Sequence, residues 1–161
     1  MKILFLDIDG VLNNTCPGTV CVKGKRLYDP HCISVLNNVL SDTNANIVIS
    51  SAWRVGYSCD FLAGQLDMMG VCVQHYTVYK DKYAHRIVGV TDTNGPTRAT
   101  EIVRWIEANQ DKIDSYAIVD DNEDAMCDMT KCMFVQTADD TGLTREQGGR
   151  LIKLLNNMKK N

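Results

Sequence analysis

The sequence predicts an α/β fold, a three-layer Rossmann-like sandwich with a mainly parallel central sheet, in which residues 1–161 form a single domain. Short apolar runs alternate with segments whose apolar residues recur at helical spacing, and this order predicts parallel strands covered by helices. Three of the apolar runs end in acidic or hydroxyl residues, as strands with a ligand site at their carboxyl ends do. The 161 residues suffice for one continuous core.

The first half of the chain predicts a strand, a flap and a helix that leads to a second strand. Apolar residues fill 3–6, and the segment 13–28 carries Pro and Gly residues around an alternating run, which is typical of a β-hairpin or flap. Asp29 and Pro30 then supply an N-cap and a first helical position. The apolar run in 45–51 predicts the second strand, which ends in two serines.

The middle of the chain repeats this alternation but contains one ambiguous segment. A helix over 60–69, ended by Gly70, precedes a short strand predicted at 71–73. The segment 74–96 fits either short strands or extended loops, and the choice is left open.

The last third predicts two further helices and two further strands. Thr97 is placed to cap a helix that leads to the strand 116–121, and 133–135 predict a final strand. Thr144 and Gln147 match a capping box at the start of the last helix. Up to residue 121 the order of elements is therefore β-α-β-α-β-α-β.

The most informative stretch is Asp7-Ile8-Asp9-Gly10, at the end of the first strand. We expect the chain to leave strand geometry at Ile8, so that the strand holds Asp7 rigidly and Asp9 lies on a loop beside it at the same site. Gly10 allows such a turn at little conformational cost. The alternative interpretation is an ordinary surface turn after a buried strand.

Two other strand ends make an ordinary surface turn the weaker interpretation. Asp120 and Asp121 end one apolar run, and Ser50 and Ser51 end another. In open parallel sheets, ligands bind at the carboxyl ends of the strands. The sequence therefore predicts a site for a metal and a phosphate at this edge of the sheet.

At these residues the sequence resembles the haloacid dehalogenase (HAD) superfamily of aspartate-nucleophile phosphatases, in its capless form. The family pattern is a strand with Asp-x-Asp-Gly, a strand ending in Ser or Thr, a Lys or Arg, and an acidic strand end, and candidates for all four occur in this order. The details resemble the HAD domain of RNA-repair (Swiss Army Knife) proteins: Asp-Gly-Val-Leu-Asn, Ile-Ser-Ser-x-Trp-Arg, Asp-Asp-Asn and Thr-Gly-Leu-Thr. The resemblance implies a HAD-like sandwich with a flap after the first strand.

The resemblance also implies a role for each candidate catalytic residue. Asp7 is the nucleophile that forms an aspartyl-phosphate, and Asp9 protonates the leaving oxygen and then activates water. Ser50 donates its hydroxyl to a phosphoryl oxygen. Arg98 is the favoured cation on the phosphoryl group. Three other cations remain open for that role: Lys80, Lys82 and Arg86.

The implied cofactor is Mg²⁺, because the oxygens of a phosphate ester repel an anionic nucleophile unless a cation screens the charge. The expected ligands are Asp7, the backbone carbonyl of Asp9 and an acid of the later pair. Asp121 is favoured as the direct ligand and Asp120 as its support, with Asp124 as a third possibility.

Substrate contacts are expected beside these residues. Gly10 lets the backbone come close to a ligand, and backbone N–H groups around Ser51 add donors. Trp53 and Arg54 are placed to bind substrate by stacking and by phosphate pairing. A buried Trp53 with Arg54 on the surface is the alternative, of about equal weight.

The composition of the chain argues against several kinds of binding partner. The 17 Lys and Arg against 20 Asp and Glu give a net charge of −3, which argues against nucleic-acid binding through overall positive charge. The 7 cysteines contain no Cys-x-x-Cys pair, so neither a zinc site nor a disulfide-linked partner is expected, and a reducing, cytoplasmic compartment fits best. No apolar run is long enough to span a membrane, and no membrane partner is expected.

The expected function is that of a Mg²⁺-dependent phosphomonoesterase without a large cap domain. The two intervals in which other HAD members insert a cap hold roughly forty residues each, below the ~50 residues of an independent domain. An uncovered site favours an exposed phosphate on a large substrate, at a nucleic-acid end or on a nucleotide. A protein phosphatase and a non-catalytic phosphate- or metal-binding regulatory module are the alternatives.

Overall fold

The computed structural model describes residues 1–77 and 82–157, which form a central sheet, two hairpins and four α-helices. The strands are β1 (Lys2–Leu6), β2 (Val20–Val22), β3 (Lys25–Tyr28), β4 (Asn46–Ile49), β5 (Gln74–Thr77), β6 (Lys82–His85), β7 (Ile87–Val90), β8 (Ser115–Asp120) and β9 (Phe134–Gln136). The helices are α1 (Pro30–Thr43), α2 (Cys59–Met68), α3 (Arg98–Asn109) and α4 (Arg145–Asn156). Across these ranges, no helix has the length and apolarity that a membrane crossing requires.

The central sheet has the strand order β7-β4-β1-β8-β9, and all of its pairs are parallel. The prediction of an α/β fold with a mainly parallel sheet is confirmed. Leu6 pairs with Ile49 on one side and with Val119 on the other. Three neighbouring strands therefore end at the same level, and the residues that follow them lie side by side at one edge of the sheet.

Each face of the sheet has its own apolar layer, because alternate residues of a strand point to opposite faces. Leu4 and Leu6 of β1 belong to a buried cluster with residues of α1, α2 and α4. Ile3 and Phe5 belong to a second cluster with residues of α3. Phe5 packs edge to face on Trp105 of α3, with ring centroids 5.5 Å apart. Helices thus cover both faces, as predicted for a three-layer sandwich.

The helices begin where the sequence predicts, because a side chain caps each first turn. Asp29 caps α1 and Thr97 caps α3, each by accepting a bond from a backbone N–H of the first turn. Thr144 and Gln147 form the predicted capping box at the start of α4. The helix predicted at 60–69 is α2, shifted by one residue.

The predicted flap is confirmed as the antiparallel hairpin β2–β3, whereas the strand predicted at 71–73 is wrong. Val71 and Val73 are buried, but the Val73 N–H donates to the Val71 carbonyl at 2.7 Å, in a tight turn. These residues are apolar because they pack into the core, without pairing in the sheet. The strand that joins the sheet here is β7, from the segment 74–96 that the sequence left open.

Candidate active site

Three carboxylates meet at the edge of the sheet where β1 and β8 end. Asp7 follows β1, Asp120 ends β8, and Asp121 comes next. Each offers an oxygen that lies within 4.8 Å of the others. Asp7 is 5% exposed and Asp120 only 1%, so two of the three carboxylates are buried. The fold thus brings together the early and late acids that the sequence keeps far apart.

Arg98 is the cation that faces this cluster from the first position of α3. Its Nη1 donates to Oδ1 of Asp7 at 3.1 Å, and also to the carbonyl oxygen of Ser50. Its Nε lies 3.6 Å from Oδ2 of Asp120. Arg98 thus pairs with two of the three carboxylates, and negative charge is in excess among the described residues of the cluster.

Burial changes the protonation of the cluster. It raises the pKa of Asp7, while the charge of Arg98 opposes that shift. Burial and the neighbouring charge of Asp7 together raise the pKa of Asp120 to about 7. Carboxylates packed this closely away from water require a proton or a cation between them.

Two observations and the chemistry of the ligand atoms indicate that the cluster suits a divalent cation. Oδ2 of Asp120 is buried and has no hydrogen-bond partner in the described part of the chain. Gly10 has a φ of +73°, and a Cβ atom there would overlap the Asp121 carboxylate, so only glycine leaves this side of the cluster open. Carboxylate oxygens are the ligands that hard ions such as Mg²⁺ prefer. The residues that would hold the ion are Asp7, Asp120 and Asp121.

Asp9 lies outside the carboxylate cluster, and two side chains hold its carboxylate. Asn13 Nδ2 donates to Oδ1 at 2.7 Å, and Trp53 Nε1 donates to Oδ2 at 3.0 Å. The Gly10 N–H donates to Asn13 Oδ1 at 3.0 Å, which closes the turn around Asn13. Asp9 is thus an exposed carboxylate in a fixed orientation, two residues from Asp7.

The sequence of this chain also matches the model of a known protein family. The model of the family described as the HAD domain in Swiss Army Knife RNA repair proteins matches residues 3–147. The chain belongs to this family. No curated protein matches it. The predicted resemblance is confirmed, and membership points to a hydrolase of the phosphatase type.

In this HAD domain, the Ser51 side chain lies close enough to the Asp7 carboxylate to lower the pKa of Asp7, against the effect of burial. The Ser51 hydroxyl also caps the short 3₁₀ helix Ala52–Arg54 by accepting from the Trp53 N–H. The Ser50 hydroxyl, which the sequence favoured as the phosphoryl donor, is buried without a partner among the described residues. The role of Ser50 as the phosphoryl donor stays a prediction, and Ser51 is a second hydroxyl at this turn.

Arg54 lies buried beneath the site of the HAD domain. Its side chain is 6% exposed and pairs with Glu101 of α3, Nη2 to Oε2, at 2.5 Å. The guanidinium also donates to four backbone carbonyls: those of Ser50, Ser51, Thr91 and Asp92. The prediction that Arg54 pairs with substrate phosphate does not fit this environment, because its donors are used inside the protein.

The other candidate cations and the third acid are not part of this cluster. Arg86 donates to Oδ1 of Asn44 at 2.8 Å, beside the amino end of β4 and so at the opposite edge of the sheet. Lys80 and the side chain of Lys82 lie outside the described residues. Asp124 is exposed and does not belong to the carboxylate cluster that the described residues form.

Sequence reasoning missed two side chains that shape this edge of the HAD domain. Asn13 orients Asp9, and the signal was present in the motif Asp-Gly-Val-Leu-Asn, which puts an amide one turn after that acid. Thr137 donates its hydroxyl to the Gly10 carbonyl at 2.9 Å. No local pattern indicates Thr137, because its contact depends on β9 lying beside β8.

The stability of the metal-free HAD domain is expected to fall as the pH rises from 5 to 8. The folded-state pKa of Asp120 is about 7 against an ordinary 3.8, so between these values the folded protein holds a proton that the unfolded chain has lost. The loss is on the order of 2 kcal/mol, or roughly 4–8 °C in Tm. Thermal unfolding with EDTA measures it. Asp120→Asn should show a smaller decrease, and equal decreases in both proteins would contradict the prediction.

Proposed function

We propose that the protein is a Mg²⁺-dependent phosphomonoesterase in which Asp7 is the nucleophile. The observation that carries this proposal is the position of the Asp7 carboxylate, 3.1 Å from Arg98 Nη1 and within 4.8 Å of the Asp120 and Asp121 carboxylates. A carboxylate attacks a phosphate only where cations and hydrogen-bond donors reduce the repulsion between the two anions. Arg98 and the Ser51 hydroxyl supply such donors from the chain itself.

Mg²⁺ bound at Asp7, Asp120 and Asp121 would supply the remaining positive charge. The Asp9 backbone carbonyl is a further ligand that we infer from the family resemblance. The division of roles between Asp121 as direct ligand and Asp120 as its support stays a prediction. Oδ2 of Asp120 accepts no hydrogen bond from the described residues, which supports a direct contact for this residue as well.

Two displacements at phosphorus make up the proposed reaction. In the first, an Asp7 oxygen bonds to phosphorus while the bond from phosphorus to the leaving oxygen breaks, and Asp9 gives that oxygen a proton. In the second, Asp9 takes a proton from water, whose oxygen bonds to phosphorus and releases Asp7 and inorganic phosphate. Asn13 and Trp53 orient Asp9 for both proton transfers.

The proposed substrate carries its phosphate on a large or extended molecule, at a nucleic-acid end or on a nucleotide. Between Asp9 and Ser50 the chain forms the flap and α1, and between Ser51 and Arg98 it forms α2 and the strands β5 to β7. A cap domain would need more residues than either interval provides. The short intervals support a site that remains open to a large ligand.

Removal of Mg²⁺ is expected to abolish phosphatase activity reversibly. The wild-type protein should hydrolyse p-nitrophenyl phosphate with Mg²⁺, lose the activity in excess EDTA and regain it when Mg²⁺ is restored, because the excess carboxylate charge otherwise repels the substrate. Phosphate release measures the rate, and far-UV circular dichroism controls for unfolding. Activity that persists in EDTA would contradict the role of the cation. A rise of Tm with Mg²⁺ in a protein without turnover would favour the regulatory module.

A further inference from the structure

A group of three aromatic rings, two exposed and one half-buried, adjoins the proposed active site. Trp53, Tyr57 and Phe61 line a hollow of about 390 Å³ together with Ala52, Leu62 and Gln65. The rings of Tyr57 and Phe61 are stacked, with centroids 4.5 Å apart and planes inclined by 13°. Tyr57 is 54% exposed and Phe61 44% exposed. We call these three aromatic residues the aromatic platform.

The aromatic platform is connected directly to the groups proposed for catalysis. Trp53 Nε1 donates to Oδ2 of Asp9 at 3.0 Å. Ala52 lines both the aromatic hollow and a second hollow of about 300 Å³ that is lined by Arg98. A ligand with its phosphate at Asp7 and Arg98 therefore has an aromatic surface on the side of Trp53.

We propose that the aromatic platform binds the nucleobase of a phosphorylated nucleoside whose phosphate occupies the site at Asp7. This inference rests on the proposed phosphatase function. Bases stack on aromatic side chains with little dependence on sequence, because every base has a π-face. Gln65 lines the same hollow and carries an amide that can donate to, or accept from, the edge of a base.

Charge and shape favour a base over other occupants of the platform. The net charge of −3 gives no overall attraction for a nucleic-acid backbone, so affinity for a nucleotide must come from local contacts. Tyr57 and Phe61 cover one face of each other's ring, and a planar base can extend this stack on an outer ring face. A free nucleotide and the terminal nucleotide of an oligonucleotide present the same base and phosphate, and the substrate series below separates these two sources.

The test compares substrates that share one phosphate linkage and differ in the base. Values of kcat/KM are measured for ribose 5-phosphate, adenosine 5′-monophosphate and a 5′-phosphorylated single-stranded RNA. We expect at least one of the two base-containing substrates to exceed ribose 5-phosphate by about tenfold or more. A preference confined to the RNA assigns the site to oligonucleotide ends, and a preference for the monophosphate assigns it to free nucleotides. Equal values for all three substrates would overturn the proposal.

Variants of the aromatic platform then test whether these residues cause the preference for base-containing substrates. Phe61→Ala should lower the kcat/KM ratio of the preferred base-containing substrate to ribose 5-phosphate by about tenfold, mainly through KM, because stacking contributes to binding. Phe61→Leu keeps an apolar side chain without the π-face and should lower the ratio too. Met68→Ala is the matched control, because Met68 lies on the same helix, is 80% exposed and does not line the hollow. A ratio that is the same in all four proteins would refute the role of the platform.

Binding of adenosine separates this proposal from the phosphatase proposal. Adenosine has no phosphate to hydrolyse, so calorimetry with the wild-type protein and Phe61→Ala reports on the platform alone. We expect about tenfold weaker binding to the variant. If Phe61→Ala binds adenosine more weakly than the wild type but the wild type hydrolyses no phosphate, the phosphatase function is rejected. The role of the platform in substrate choice is then rejected with it. Hydrolysis with no adenosine binding would reject the platform only.

Discussion

Replacing Asp7 with asparagine is expected to lower kcat for p-nitrophenyl phosphate by at least about a thousandfold, because the variant lacks the nucleophile. The amide keeps the shape of the side chain and an oxygen that accepts the Arg98 hydrogen bond. The variant should fold, and without metal it should be at least as stable as the wild type at pH 8, because it removes a buried charge from a crowded carboxylate cluster. Steady-state kinetics and thermal unfolding measure the two effects.

The control for this experiment is the same substitution at an exposed acid. Asp67→Asn changes a carboxylate on α2 that lies on the surface, and it should retain wild-type activity. Mass spectrometry of rapidly quenched wild-type protein should find the phosphoryl group on the peptide that contains Asp7. Comparable turnover by Asp7→Asn would remove this residue from the nucleophile role, whatever the fate of the metal site.

Replacing Arg54 with alanine is expected to destabilise the fold by about 3–5 kcal/mol, because it leaves Glu101 as a buried charge without its partner. Arg54 and Glu101 have side chains that are only 6% and 8% exposed. The change also removes the donor to the carbonyls of Ser50 and Ser51, on which the position of Ser51 beside Asp7 depends. Denaturant unfolding measures the loss, and activity should fall even where the protein remains folded.

Two further variants test whether the loss of stability in Arg54→Ala depends on the burial of the ion pair. Arg26→Ala removes an ion pair with Asp139 of similar length, 2.7 Å, but side chains that are 41% and 51% exposed limit its effect to about 1 kcal/mol or less. Glu101→Gln keeps an oxygen that accepts from Arg54 while removing the charge, and should cost less than Arg54→Ala. Losses of equal size for Arg54→Ala and Arg26→Ala would contradict the importance of burial.

Local signals were sufficient for most of the fold. The caps at Asp29 and Thr97 mark helix starts, because a side chain that accepts from the first turn acts within a few residues. The prediction of a strand at 71–73 was wrong because it depended on contacts with distant parts of the chain. A short apolar run is buried equally well as a strand or as a turn packed under helices, and only its distant neighbours decide between them.

The candidate site likewise has features that the sequence predicts and features that it does not. The acids and the arginine could be predicted as a group, because strands of a parallel sheet end at a common edge. The closeness of Ser51 to Asp7 could not, since it depends on the dihedral angles at the turn after β4. The burial of Arg54 depends on Glu101, which approaches only when α3 packs on the sheet.

By itself, the sequence determined the α/β class, the helix starts and the family pattern that points to Asp7, because these follow from residue types at short spacings. Tertiary structure alone decided that Ser51 lies close to Asp7, that Arg54 is buried against Glu101, and that Trp53 orients Asp9. Each of these depends on the direction of a side chain relative to an element far away in the chain. Short spacings carry no information about such directions, because packing between elements sets them.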